Sequence, residues 1–273
     1  MSKSTEQSIK HKLKDISKRL NTPFNTLLEM LFLERFLVRI GKSVYADKLI
    51  FKGGMCLAQF LDLGRKTKDI DFLFTQVKNN IEKIKKTMEG IASINTGDNF
   101  IFSQVEVNQL PFEHKQYPSY RVYIQGQLGQ IKNKVSIDVG GGDVFVSKPL
   151  EIKLMTAKEP LFEKSVKLRS YTPEYIFSEK LEAILQLGET NSRMKDFYDC
   201  YRLIEESIMD KNLLKTAIHK TMKHRNTKLK MIPQPNEQLK IRWESFLRRN
   251  KISDLKLSAI ISKINKMISL DRS

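Results

Sequence analysis

The chain has 273 residues, 40% of them hydrophobic and 29% charged, and a formal net charge of +17; that is enough chain for one sizeable core, or for one domain with a helical extension. No apolar run reaches the ~18 residues of a membrane span, and the opening MSKSTEQSIKHKLKDISKRL lacks the apolar core of a signal peptide. Cys56 and Cys200 both fall in apolar helical patterns, which excludes a disulfide framework and reads as two reduced core thiols of a cytoplasmic protein.

Ser4 to Leu20 reads as a basic amphipathic helix with Ile9, Leu13, Ile16 and Leu20 on one side. Thr22 is placed to cap the next helix, and Pro23 suits its first turn. That helix should run to about Ile40 and end at Gly41. It is apolar nearly all round, so it is expected to be the central buried helix against which a sheet packs.

Leu49-Ile50-Phe51 reads as a buried strand. Gly53-Gly54 breaks it, and a glycine pair lets a backbone approach a phosphate closely. Met55 to Leu63 has apolar residues at helical spacing. Ile70 to Phe74 reads as a second strand, with Asp69 at its mouth. Asp69 and Asp71 are two apart, so in a strand both carboxylates point to one face. Side by side they repel unless a positive charge lies between them, and a hard cation such as Mg²⁺ can fill that place while bridging to nucleotide phosphates. Alone, Asp-x-Asp is common and Gly-Gly is usually just a turn.

Gln76 to Ile91 then reads as a helix, and Phe100 to Val107, Tyr120 to Ile124 and Lys134 to Val139 as strands. Asn108 to Ser119 should be a loop or an edge connection. A strand-turn-helix-strand unit followed by a helix and several strands argues for a mixed α/β sheet. In the strand at Lys134, Val135, Ile137 and Val139 share one face while Ser136 and Asp138 share the other. Asp138, and Asp143 just past Gly140-Gly141-Gly142, are rival candidates for a third carboxylate.

Ser147 to Glu163 is poorly patterned. Tyr171-Thr172-Pro173-Glu174 opens a strong helix running to Leu187 and Gly188. At about 100° per residue, Ile176, Phe177, Ala183, Ile184 and Leu187 form one apolar stripe with Lys180 in its middle. A lysine there must snorkel, pair, or face a ligand. Facing anionic phosphates explains its position better than a salt bridge, and Lys180→Met should then leave stability unchanged or raise it. A helix over 194–208 should turn Met194, Phe197, Tyr201, Ile204 and Ile208 inward, leaving Lys195, Asp196 and Asp199 on a solvated face. Leu213 to Ser273 reads as two or three basic helices onto which Trp243, Phe246 and Leu247 pack. From Glu206 to Ser273 there are 16 Lys and Arg against 6 Asp and Glu. Such a basic segment is the usual footprint of nucleic-acid binding, or else a solubilising surface.

In combination these motifs resemble the nucleotidyltransferase superfamily that includes DNA polymerase beta. Lys52-Gly53-Gly54, Arg65-x-Thr67-x-Asp69-Ile70-Asp71, Glu179-Lys180 and Arg193-x-Lys195-Asp196-x-x-Asp199 resemble, within it, the AbiEii family of toxins. The resemblance spans about Leu49 to Ile204. It implies N-terminal helices over 1–48 packing on a nucleotidyltransferase-like α/β core over 49–165, with a mixed sheet flanked by helices, and a basic helical domain over 166–273. It implies Mg²⁺ or Mn²⁺ on Asp69, Asp71 and Asp138, the last helping to deprotonate an attacking hydroxyl. It implies an NTP held by Lys52, Gly53, Gly54, Arg65, Thr67, Lys180, Arg193, Lys195 and Asp196, with Lys180 also catalytic. The partners implied are an RNA, in some relatives the 3′ end of tRNA, and a cognate antitoxin, in a phage-defence setting. Met55 departs from the superfamily, where Ser or Thr frequently follows the glycines and offers a phosphate a hydroxyl. Two alternatives stay open: a kinase-like toxin moving a terminal phosphate to a protein, and a catalytically weak RNA- or protein-binding module.

Overall fold

The computed structural model describes residues 3–65, 70–75, 80–111, 118–154 and 161–269. In chain order, the first half runs α1 (Lys3–Arg19), α2 (Phe24–Lys42), β1 (Leu49–Lys52), α3 (Gly53–Leu57), β2 (Ile70–Phe74), α4 (Ile81–Ala92), β3 (Phe100–Gln109), β4 (Tyr120–Leu128) and β5 (Ile131–Gly140). It continues with β6 (Ser147–Lys153), β7 (Ser165–Tyr171), α5 (Pro173–Leu187), α6 (Met194–Glu205), α7 (Lys211–His224), α8 (Glu237–Asn250) and α9 (Leu257–Ser269). The chain forms two compact units. One comprises Met1–Lys52, Lys68–Gly142 and Pro149–Ser170, the other Gly53–Thr67, Asp143–Lys148 and Tyr171–Ser273. No described helix is long and apolar enough to cross a membrane.

The first unit is built on a seven-stranded mixed sheet of order β3-β4-β5-β2-β1-β7-β6. β1 runs antiparallel to β2 and parallel to β7, β2 parallel to β5, and β3, β4 and β5 form an antiparallel meander. This is the mixed α/β, nucleotidyltransferase-like sheet flanked by helices that the motifs imply. α2 packs against β5 and β3, and every residue from Leu31 to Ile40 is buried. Phe32 and Phe36 meet Phe100 and Phe102 edge to face. Arg39 is buried here too and donates both terminal nitrogens to Asp98, each at 2.8 Å. The Arg39 partnership holds the Asp98 carboxyl below its usual range, although burial alone would push it up.

The differences from expectation have local causes. Leu20 is exposed because α1 stops at Arg19 and Asn21 takes a left-handed φ of 46°. The Thr22 hydroxyl donates to the Leu20 carbonyl rather than capping α2, whose N-cap position is Pro23. α4 starts behind Asn80, whose side chain accepts from Lys83 N–H; Gln76 to Asn79 lie outside the described residues. β3 extends through Asn108 and Gln109, part of the expected loop. The poorly patterned 147–163 conceals β6, an edge strand that tolerates Pro149. β7 was not anticipated, although its alternation could have found it: Val166, Leu168 and Ser170 are buried between exposed or half-exposed Lys167 and Arg169.

The second unit is helical. α5 is buried on nearly every side and packs on α3, α6 and α7, while α6 packs on α8 and α9. α3 is five residues long, shorter than the expected 55–63 helix. Beyond it the Leu57 carbonyl accepts from both Phe60 and Leu61, and the Asp62 carboxylate accepts from Gly64 N–H at 2.9 Å, a turn within the stretch where the helix was expected to continue. α6 stops at Glu205, so Ile208 is exposed. Trp243 and Leu247 are buried, with Phe246 stacked on Trp243. Cys56 and Cys200 are both buried free thiols.

Gly126 of β4 faces the Phe32 ring so closely that an added Cβ would lie 2.5 Å from a ring carbon. That ring is itself wedged against Phe100 and Phe102. Gly126→Ala is therefore expected to cost about 1–3 kcal/mol, read as a lower midpoint in chemical denaturation.

Candidate active site

In the sheet, the edges of four adjacent strands bring charged residues into one row. Lys52 stands opposite Asp71, Asp71 opposite Asp138, and Asp138 opposite Arg121. Residues in register share a face, so the row reads positive, negative, negative, positive across β1, β2, β5 and β4. All four are half-buried, while Ile70, Phe72, Ile137 and Val139 beside them along the strands are buried on the opposite face. Strand spacing puts the two aspartates about 5 Å apart at the backbone. Arg121 grips Asp138 with a fork: Nε donates to Oδ1 at 2.7 Å and Nη2 to Oδ2 at 2.8 Å.

Gly53 has a φ of 74°, a left-handed conformation that glycine adopts without steric penalty. It opens α3, which also holds Gly54 and a half-buried Met55.

The helical unit carries a second cluster. Lys180 Nζ lies 2.9 Å from Asp196 Oδ1 and 2.7 Å from Asp199 Oδ2. Arg65 Nε donates to Asp199 Oδ1 at 2.8 Å and Nη2 to Oδ2 at 2.5 Å. Arg193 Nε donates to Asp196 Oδ2 at 2.7 Å from a side chain that is 51% exposed. Both aspartates are fully buried, and Lys180 is 9% exposed. Burial alone would push the Asp196 carboxyl up and the Lys180 ammonium down. Their mutual attraction wins: Asp196 is held below its usual range and Lys180 above its own.

The model of a family described as the nucleotidyl transferase AbiEii toxin of a Type IV toxin–antitoxin system matches residues 35–262. The chain belongs to the AbiEii family. Among solved structures, it is similar to JHP933 from Helicobacter pylori, at 13% identity with a TM-score of 0.48, over 90% of this chain and 91% of that one. It is also similar to a candidate nucleotidyltransferase from H. pylori, at 13% identity and TM-score 0.46, over 90% of this chain and 93% of that one. No curated protein sequence matches it. The family is one of toxin nucleotidyltransferases, so a nucleotidyl-transfer site is what the AbiEii chain must build.

Of the residues expected in that site, Lys52, Asp71 and Asp138 come together in the sheet row. Asp69 and Thr67 lie outside the described residues. Asp143, in the helical unit, is paired with Arg225, which also holds Glu179 and Glu182. Lys180, Arg193 and Asp196 come together in the helical unit with Arg65 and Asp199, and Lys195 is exposed. Two expectations are corrected. Asp196 and Asp199 do not line a solvated face, because α6 turns them inward with Met194, Phe197, Cys200 and Leu203. The Lys180 position is explained by a double salt bridge rather than by facing phosphates, since two buried carboxylates already neutralise it. Arg121 was not anticipated, although the alternation of β4 would have turned it to the face away from Val122 and Ile124.

Among the described residues no group of three or more His, Cys, Asp or Glu could hold a metal ion. Asp71 and Asp138 supply two hard carboxylate donors in register, a set that fits a small divalent cation.

Because Lys180 compensates two buried acids, Lys180→Met is expected to destabilise the AbiEii chain by about 3–5 kcal/mol, measured by chemical denaturation. This reverses the neutral or stabilising outcome expected from an apolar stripe. Asp196, ordinarily near 3.8, titrates lower when folded. Its contribution is therefore complete above that ordinary value and is lost as pH falls through the depressed one. The melting temperature should drop below about pH 4, with a shallower acid-side slope in Lys180→Met.

Proposed function

We propose that this protein is a divalent-metal-dependent toxin that transfers a nucleotide from an NTP to an RNA acceptor, the 3′ end of tRNA being the acceptor its family resemblance favours. The observation that carries the reading is the register of Asp71 with Asp138 on one face of the sheet. With Asp69, these residues would hold Mg²⁺ or Mn²⁺. When bound, such an ion neutralises triphosphate charge and polarises the reacting phosphorus. Gly53 and Gly54 would offer backbone N–H groups to phosphate, and Lys52 its charge. Asp138 would orient the acceptor hydroxyl and receive its proton as the oxygen attacks the α-phosphorus and pyrophosphate departs. Catalysis of this kind is mostly positioning and charge neutralisation.

RNA binding is supported by α7. Lys211, Lys215, Lys220 and Lys223 are all exposed, the helix contains no acidic residue, and among the described residues none of the four makes an ion pair. Exposed lysines elsewhere do: Lys240 pairs with Glu237 and Lys263 with Glu205. A cognate antitoxin follows from the toxin–antitoxin family, with a role in phage defence. Two free buried thiols suit a reducing cytoplasm.

Asp71→Asn is expected to lower transfer at least about a hundredfold with a melting temperature that is unchanged or higher. Label from α-labelled NTP should appear in RNA; label from γ-labelled NTP appearing in protein would establish kinase chemistry instead. RNA affinity should fall steeply with salt. Charge reversal at Lys215, Lys220 and Lys223 should flatten that dependence, the log–log slope losing about 0.7 per lost phosphate contact. RNA affinity that ignores both salt and these substitutions would remove the acceptor from the reading.

A further inference from the structure

Asp138 lies between a like charge and an opposite one. Asp71 stands beside it on β2, and Arg121 on β4 occupies both of its carboxylate oxygens. The guanidinium keeps its charge at any working pH and matches a carboxylate in planar, two-pronged fashion. It therefore does for Asp138 what a bound cation would do. A second cation cannot share that carboxylate at no cost, because guanidinium and divalent ion would stand within a few ångströms of each other and repel. Nor is the arginine locked in place: its side chain is 38% exposed, and that of Asp138 is 23% exposed.

This pairing differs from two deeply buried arginine–carboxylate forks of the chain. Arg39 and Asp98 are 1% and 2% exposed, and Arg65 and Asp199 are 5% and 0% exposed. Those pairs would have to unfold their surroundings to separate. Arg121 and Asp138 can separate by a rotation into solvent.

We propose that Arg121 is a displaceable stand-in for the divalent cation: it neutralises Asp138 in the metal-free enzyme and must release that carboxylate when the cation binds. The inference rests on the reading of Asp71 and Asp138 as metal donors and adds a control device to it. The cation alone binds weakly, because it competes with the guanidinium. A triphosphate arriving with it offers the displaced guanidinium anionic oxygens, so cation and NTP bind cooperatively.

The test is a Mn²⁺ titration of the full chain without NTP, with free Mn²⁺ read by its electron paramagnetic resonance signal. Arg121→Gln is expected to tighten Mn²⁺ binding on the order of tenfold, and addition of Asp138→Asn should abolish that gain. Arg121→Lys, which keeps the charge but loses the fork, should fall between and serves if Arg121→Gln does not fold. Addition of a non-hydrolysable NTP should strengthen Mn²⁺ binding more in the wild type than in Arg121→Gln. Unchanged or weaker Mn²⁺ binding in both Arg121 variants overturns the inference while leaving the metal site standing. Wild-type Mn²⁺ binding that ignores Asp71→Asn and Asp138→Asn, or an absence of binding in every variant, overturns the metal reading and the inference with it. Binding gained only when Arg121 is replaced supports the competition in its strongest form.

Discussion

Parallel pairing of β2 with β5 sets two carboxylates side by side, and the rest of that sheet face is arranged around their repulsion. At a separation of about 5 Å two like charges cost roughly 1–3 kcal/mol, depending on how much water screens them. The register cannot relax to avoid this. Ile70, Phe72, Ile137 and Val139 face the core from the same two strands, and a slip of one residue would exchange them for the aspartates. Apolar burial thus imposes an electrostatic cost on the opposite face. Lys52 and Arg121, at the two ends of the row, offset part of it. A face built this way gains most from additional positive charge at its centre, the property that a site for metal-bound triphosphate needs.

The helical unit treats charge in the opposite way. Its buried core contains Lys180 and Arg65 against Asp196 and Asp199, two of each sign, so the cluster is neutral before Arg193 reaches in from the surface. Neutral buried clusters of this kind rarely contribute net stability, since desolvation consumes the attraction. They do fix geometry, because each carboxylate oxygen has one satisfactory partner arrangement. α5, α6 and the segment after α3 are consequently tied at one point by residues from three separate stretches of sequence. The motifs at 65, at 179–180 and at 193–199 read as unrelated short patterns until the fold makes them one constellation.

That explains how much was legible beforehand. The sheet strands with clean alternation, the buried α2 and the Asp-x-Asp motif announce themselves through local periodicity. Asp71 and Asp138 could each be proposed, because each lies on the polar face of a strand whose other face is apolar. Their adjacency could not, since the pairing of residues 67 positions apart in the chain is a property of the folded sheet. Lys180 shows the converse failure. A lysine in an apolar stripe signals a buried charge, but the stripe alone does not say whether an acid or a ligand receives it. The acids were visible at 196 and 199 yet were assigned to solvent, because Tyr201, Ile204 and Ile208 suggested a different inward face for α6. Edge strand β6 escaped for a simpler reason: Pro149 and unpaired hydrogen-bonding positions are permitted at an edge, and they erase the usual signature.

The same logic separates the two rival carboxylates that flank the glycine run. Asp143 is bound into a knot: Arg225 donates to it at 2.9 Å while also holding Glu179 at 3.1 Å and Glu182 at 2.9 Å, and Thr227 secures Glu182 from the other side at 2.6 Å. Three acids around one arginine leave that arginine no freedom, and withdrawing Asp143 would unbalance the entire group. Its role is to fasten the segment after β5 to α5 and to the residues following α7. Among the described residues Asp138 shares its arginine with no other acid; it stands in register with Asp71 and is accessible from solvent. A carboxylate that must exchange partners during a reaction needs a partner it can lose. By that criterion Asp138, rather than Asp143, is the carboxylate placed to change partners in the proposed site, while Asp143 is held in the Arg225 cluster.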